Sequence, residues 1–184
     1  MADRTKWALA DALKQSLNQT TLDKITVTNL AETCRINRQT FYYHFQDIYA
    51  LGEWMFAQEI RQVLGKENDD PNGQENLLKI LQYCEANKTM IQNVYHSLDR
   101  EQLEKWLYQA VFPIFVHLIE KQSAGRRWSE EMQTFYASFY SYALSGWILN
   151  WVKTGMLRAD SAAAVARIYA LFDASSDGKN HTIC

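Results

Sequence analysis

The stretch that most constrains this chain is residues 26–45, TVTNLAETCRINRQTFYYHF, which predicts two short helices joined by a tight turn. The Thr26 hydroxyl can cap the first helix by accepting from a free backbone N–H. Leu30, Ala31 and Cys34 then fall on one apolar stripe of that helix. Arg35–Asn37 makes the turn, and the Asn37 side chain is placed to cap the second helix.

The second predicted helix has two chemically different faces. Phe41 and Phe45 form its inner face, and Ile36 in the turn points into the same core. The opposite face and its flanks carry polar and aromatic side chains: Gln39, Tyr42 and Tyr43, with Arg38, Thr40 and His44 beside them. An outward face of hydrogen-bond donors and aromatic rings suits a helix that enters the major groove of DNA.

These residues carry a family resemblance. The run Thr26, Leu30-Ala31, Ile36-Asn37, Thr40–Phe45 and Leu51 resembles the helix-turn-helix of the TetR family of bacterial regulators, and Thr-Phe-Tyr-Tyr-His-Phe is its specific part. The match is confined to residues 26–54. Within it, residues 46–51 and Trp54 resemble the subset of dihydroxyacetone-kinase operon regulators.

Two positions depart from the family pattern. Cys34-Arg35 stands where the family usually has Ala-Gly, so Arg35 costs roughly 1 kcal/mol of strain if its φ is positive. Ile48 stands where many members have a phosphate-contacting lysine. Both departures weaken the expectation of DNA binding.

The resemblance implies a regulator that binds double-stranded DNA, at a palindromic operator, and it favours a repressor over an activator. By resemblance, Tyr42, Tyr43 and His44 contact phosphates or base edges, while Arg38, Gln39 and Thr40 read bases. The full set of predicted DNA-binding residues is Lys24, Thr26, Arg35, Asn37, Arg38, Gln39, Thr40, Tyr42, Tyr43 and His44.

The remaining pattern predicts an all-α chain of about nine helices. A three-helix DNA-binding head (residues 1–46) precedes a helical regulatory and dimerisation body (residues 47–174) and a loose tail (residues 175–184). Leu9, Leu13 and Leu17 recur every four residues on the first helix. Asp47 is predicted to cap the fourth helix, and residues 65–73 are predicted to form a loop. Pro113 is the predicted site of a kink or break.

Charge and cysteine usage indicate the compartment. The net charge is −2, yet residues 4–46 hold six bases against three acids, which fits DNA contact through one end or a chance fluctuation. Three widely separated cysteines without a CxxC predict a reducing cytoplasm and no disulfide framework. Charges throughout the first residues are not those of a signal peptide.

Motifs for catalysis, phosphate binding and metal binding are missing from the sequence. It contains no GxSxG, GxGxxG or P-loop, and its histidines and cysteines lack zinc-like spacing. The sequence therefore predicts neither an enzyme nor a cofactor.

The uncharged run at residues 135–152 is long enough to span a membrane, but its serines, tyrosines, asparagine and glycine are a large polar load. A helix buried in the core and against a second subunit is the better interpretation, so we expect a homodimer and no membrane contact. The predicted interface residues are Phe139, Ala143, Trp147, Ala162, Ala166, Tyr169 and Ala170.

Aromatic residues are dense after residue 73. They predict either a filled core or, as the resemblance implies, a pocket for an unknown small-molecule effector; a protein effector is the third option. The predicted pocket residues are Tyr83, Tyr95, Trp106, His117, Tyr136 and Tyr140. The alternative function is a ligand-carrier or protein-interaction module with a degenerate helix-turn-helix, which Arg35, Ile48 and the acidic net charge favour.

Overall fold

The computed structural model describes residues 2–65, 73–123, 128–156 and 161–176, which form nine α-helices, one 3-10 turn and no strand. The helices are α1 (Ala2–Leu17), α2 (Val27–Thr33), α3 (Arg38–His44), α4 (Ile48–Leu64), α5 (Gly73–Ala86), α6 (Lys88–Tyr95), α7 (Arg100–Ser123), α8 (Glu130–Lys153) and α9 (Ser161–Ser176). The all-α prediction is confirmed. Residues 66–72 of the predicted loop and 177–184 of the predicted tail lie outside the described residues.

The head is built on α1. Its leucine repeat, Leu9, Leu13 and Leu17, is fully buried and forms the centre of a core that Leu30 and Phe41 complete from α2 and α3. A stripe with a four-residue period keeps to one face of a helix, so this packing follows directly from the sequence.

Side chains from α4 and α6 belong to the same core. Leu51 and Met55 of α4 and Met90 and Val94 of α6 are buried in it. Their placement shows that the head's hydrophobic core extends past residue 46, so the body packs against the head over a side surface and not only through the chain connection at α4.

Two polar contacts strengthen the packing of α6 on the head. The Asn93 side-chain amide donates to the Leu17 carbonyl at 2.7 Å and so caps the end of α1. The backbone N–H of Leu22 donates to the Ser97 hydroxyl at 2.7 Å. The end of α1 and the turn after it are therefore held by residues more than seventy positions further along the chain.

The body has a second core in which α7 and α8 pack along their lengths, with α5 and α9 against them. Helix α7 continues through Pro113, which excludes the break of the two alternatives predicted there, a kink or a break. Among the described residues, no helix is both long and apolar enough to cross a membrane.

Candidate nucleic-acid interface and regulatory cleft

Three side-chain caps define the ends of the helices around the candidate DNA-binding surface, as the sequence predicts. The Thr26 hydroxyl accepts from Asn29 N–H at 3.1 Å at the start of α2. The Asn37 side chain accepts from Gln39 N–H at 2.9 Å at the start of α3, and Asp47 accepts from Ala50 N–H at 2.8 Å at the start of α4. Each cap satisfies a backbone donor that the helix itself leaves free.

The turn between α2 and α3 is made by Arg35, whose φ is 54°. The N–H of Ile36 donates to the Ala31 carbonyl at 2.9 Å, which closes the end of α2 around this left-handed residue. A residue other than glycine is strained by about 1 kcal/mol in this conformation, as predicted from Arg35 standing where the family usually has glycine. The Arg35 side chain is exposed on the turn.

Helix α3 is fixed from below and open above. Phe41 is fully buried and Phe45 is 7% exposed, and the two rings pack at a centroid distance of 6.1 Å. On the other side Tyr42 is 51% and Tyr43 82% exposed, with Gln39 exposed beside them. The structure thus places the predicted outer face of α3 in solvent, on a helix whose orientation is set by two aromatic anchors.

The remaining predicted DNA-binding residues surround this face. Lys24, Thr26, Asn37 and Arg38 are exposed, while Thr40 and His44 are half-buried. Of the six bases in residues 4–46, Lys14 has a salt bridge, to Glu59 at 2.6 Å, and within the described residues the other five have none. Free cations on one end of the molecule are the electrostatic requirement for binding a phosphate backbone.

A cleft of about 440 Å³ opens between α4, α5 and α7. Its walls are mainly apolar, with Phe56 and Ile60 from α4 facing Trp106 and Ile114 from α7. Its polar lining is Glu53, Arg61, Asn76, Gln109 and His117. An apolar concavity with a few polar groups is the usual form of a small-molecule site.

Two of the six predicted pocket residues, Trp106 and His117, line this cleft. Tyr95, Tyr136 and Tyr140 instead pack against the core of the body. Tyr83 packs against the head core. Burial and the nearby Glu59 carboxylate raise the pKa of Tyr83, although its hydroxyl does not form a hydrogen bond with that carboxylate. The sequence missed the α4 wall because Phe56 and Ile60 lie before the loop at which the aromatic-rich segment begins.

Helix α8 presents an apolar strip to solvent, which we call the outer face of α8. It consists of Met132, Phe135, Phe139, Tyr142, Ala143 and Gly146, all exposed, with Phe135, Phe139 and Tyr142 each more than half exposed. A Cβ at Gly146 would meet nothing within 4 Å, so packing inside the subunit does not require glycine there.

The predicted interface residues divide into two groups. Phe139 and Ala143 lie on the outer face of α8, and Ala162, Ala166 and Ala170 are exposed on α9. Tyr169 offers little surface to an interface, because it is 8% exposed and belongs to the subunit's own core. Trp147 is half-buried against the same core and stacks on Trp151 at 5.9 Å.

The described residues contain no group of three or more His, Cys, Asp or Glu side chains that could hold a metal ion. Desolvation raises the pKa of the Cys84 thiol to about 12 and also raises the pKa of Cys34, so both thiols are protonated at neutral pH.

Comparison with known proteins assigns the chain to a family. The TetR-type family model described as "Transcriptional regulator C-terminal region" matches residues 72–171, more than half of the chain. The chain belongs to the TetR family of transcriptional regulators. The model covers the body, whereas the resemblance seen in the sequence covers the helix-turn-helix, so the two are independent.

Individual relatives have the same architecture. The activator DhaS of the dhaKLM operon of Lactococcus lactis subsp. lactis (strain IL1403) is 24% identical over 147 residues, 76% of this chain and 75% of DhaS. A solved structure of a dihydroxyacetone kinase operon activator DhaS superposes with a TM-score of 0.70 at 21% identity, over 93% of this chain and 95% of that one. The structure of NalD, a repressor from Pseudomonas aeruginosa, superposes with a TM-score of 0.57 at 15% identity, over 92% of this chain and 97% of NalD.

This TetR-family chain is therefore a DNA-binding transcriptional regulator and not an enzyme. Regulators of the family bind DNA and commonly dimerise. The two named relatives include an activator and a repressor, so family membership does not decide between these directions.

Proposed function

We propose that the chain binds a palindromic operator as a homodimer, with α3 of each subunit in the major groove. The single observation that carries this proposal is the solvent-exposed row of Gln39, Tyr42 and Tyr43 on a helix anchored by buried Phe41 and Phe45. The bases are read by Arg38, Gln39 and Thr40. Tyr42, Tyr43 and His44 contact phosphates or base edges, and Lys24, Thr26, Arg35 and Asn37 complete the interface.

Base reading and phosphate binding separate experimentally. We expect Gln39→Ala to weaken binding by about 1–3 kcal/mol, mainly at one base pair of each half-site, because one hydrogen-bonding side chain reads one base. Tyr42→Phe and Lys24→Ala should weaken binding to all duplexes alike. The measurement is fluorescence anisotropy on a duplex selected by the pure protein and on single-base variants of it. An equal loss for Gln39→Ala on every variant would contradict the base-reading role.

The division of labour follows the order of the chain. Residues 1–46 supply the DNA contacts, residues 47–174 supply dimerisation and control, and the protein acts in the reducing cytoplasm where its operator lies. The two-fold axis of a palindrome needs a two-fold axis in the protein, and the outer face of α8 together with the small side chains of α9 is the apolar surface available for it.

The cleft is the proposed effector site, and its position suggests how a ligand is sensed. Trp106 of α7 lines the cleft and packs against Gly52 of α4, where a Cβ would lie 3.0 Å from the indole ring. Helix α4 starts at Ile48, three residues after Phe45, the buried C-cap residue of α3. A ligand that moves Trp106 therefore shifts α4 and the head, provided that it binds the two arrangements with different affinity.

Gly52→Ala tests this route. The added methyl group needs Trp106 to move by a few tenths of an ångström, and this overpacking should cost about 1–3 kcal/mol of stability. About 1 kcal/mol of that cost is offset because alanine is a better helix former than glycine. Operator affinity should change severalfold. Operator titration and urea unfolding measure the two effects.

The matched control is the double variant Gly52→Ala with Trp106→Phe, which removes the contact. It should recover most of the stability and of the operator affinity that Gly52→Ala loses, with a coupling energy of about 0.5–3 kcal/mol between the two substitutions. If the double variant is as impaired as the sum of the single variants, the contact between Gly52 and Trp106 does not link the cleft to DNA binding.

A further inference from the structure

Lys6 occupies an unusual position in the head. It is half-buried one turn into α1, and its ammonium lies 6.0 Å from the centroid of the Phe45 ring and 5.9 Å from that of the Trp54 ring. The two rings pack together at 5.7 Å and come from either side of the connection between α3 and α4. The aromatic faces attract the cation and hold its ammonium beside this connection.

Apart from the two aromatic rings, no contact in the described part of the chain accounts for the charge of Lys6. In the described part of the chain no carboxylate lies within 4.0 Å of its ammonium. The carboxylate of the α3–α4 connection, Asp47, accepts from Ala50 N–H as a helix cap. A cation in the first turns of α1 also opposes the dipole of that helix. The charge therefore does not stabilise α1.

Lys14, on the same face two turns further along, provides the contrast. Its ammonium is paired with Glu59 at 2.6 Å and lies 5.6 Å from the Tyr83 ring centroid. Both lysines lie against aromatic rings, but one is neutralised by a carboxylate of α4 and the other is not. The difference leaves Lys6 as a positive charge held at the C-terminal end of α3.

The end of α3 is where such a charge is useful to DNA binding. Phe45 caps the C-terminus of α3, and the last carbonyls of a helix carry a partial negative charge that repels phosphate. At the other end, the N-terminus of α3 has exposed Arg38 and Arg35. Position 48, at the start of α4, is an aliphatic Ile that packs against the head core. Lys6 is the cation that the fold places beside this end.

The geometry points to Lys6 as a DNA-contacting residue that binds a backbone phosphate at the edge of the groove entered by α3, with Phe45 and Trp54 holding its side chain. This inference rests on the proposed DNA interface. It adds to that interface a residue from α1, outside the helix-turn-helix.

The test is the salt dependence of operator affinity. Each phosphate contact that is lost lowers the slope of log K against log salt by about one. We expect Lys6→Gln to lower the slope by about one per subunit and to weaken binding by the same factor on selected and scrambled duplexes. Lys6→Arg should keep the wild-type slope. Lys121→Gln, an exposed charge at the far end of α7, is the matched control and should leave the slope unchanged.

Two further results would overturn the inference, and they are distinguishable. If Lys6→Gln keeps the wild-type slope while Tyr42→Phe weakens binding, Lys6 serves only to cover the Phe45 and Trp54 rings. If Tyr42→Phe also leaves binding unchanged, the proposed interface itself is wrong and the role of Lys6 is lost with it. Urea unfolding of Lys6→Gln separates a change of slope from a change of stability, because loss of folded protein lowers the active fraction without altering the slope.

Discussion

Replacing Phe139 with glutamate is expected to convert the protein into a monomer that no longer binds its operator. Phe139 is 56% exposed at the centre of the outer face of α8, so the charge is tolerated in an isolated subunit. In a two-fold interface each subunit contributes one copy of the glutamate, so two charges are buried. A central aromatic residue typically contributes at least about 2 kcal/mol, and two copies raise the dissociation constant by more than about 100-fold.

Light scattering at micromolar concentration measures this directly, since the monomer mass is 21.4 kDa. Thr134→Glu, an exposed position on the same helix but off the outer face, is the matched control and should remain dimeric. Ala166→Glu tests the contribution of α9 in the same way. If Phe139→Glu stays dimeric and binds DNA with wild-type affinity, the interface lies on another surface.

The proposed interface on the outer face of α8 also accounts for a glycine that packing within the subunit does not require. Glycine in a helix costs about 1 kcal/mol relative to alanine, and Gly146 has open space around it. Gly146 and Ala143 are small, so they form a depression beside Phe139 and Tyr142 in which a partner helix can approach closely. Because the surrounding surface is apolar and continuous, it resembles the core of an obligate interface.

Phe41→Ala is expected to cause the largest loss of stability, about 3–5 kcal/mol, together with loss of operator binding. The Phe41 ring is fully buried, packs on Phe45, and holds α3 against α1. Its removal leaves a cavity beneath α3 that neighbouring leucines of α1 cannot fill without moving this helix.

Urea unfolding monitored by circular dichroism gives this loss as a shift in midpoint. The control is Tyr43→Ala, which removes a ring of similar size from the same helix but from a position that is 82% exposed, and should leave stability within about 0.5 kcal/mol. A loss below about 1 kcal/mol for Phe41→Ala would mean that the head core does not depend on this anchor.

Local chemistry made much of the head predictable. The caps at Thr26, Asn37 and Asp47 bond to backbone groups two or three residues away, so the sequence contains both partners. The leucines of α1 repeat with the helical period, and Phe41 and Phe45 repeat four residues apart on α3. The strained turn at Arg35 was likewise predicted, because the TetR family usually has glycine at this position.

The body was less predictable because its long helix α8 lacks a polar face that orients it. Along α8 the uncharged run is apolar or neutral almost all round, so the pattern did not show that Phe139 faces out while Trp147 lies against the core. The cleft depends on which helices meet, and its α4 wall comes from a segment far from α7 in the chain.

The sequence by itself therefore determined an all-α chain with a helix-turn-helix whose outer face is Gln39, Tyr42 and Tyr43, because these features depend on residues within one or two turns of each other. Only the tertiary structure decided that α6 packs into the head core, that the cleft lies between α4 and α7, and that Lys6 reaches the end of α3. The reason is that these contacts join distant segments, and burial of apolar surface has no directional preference that a linear pattern could record.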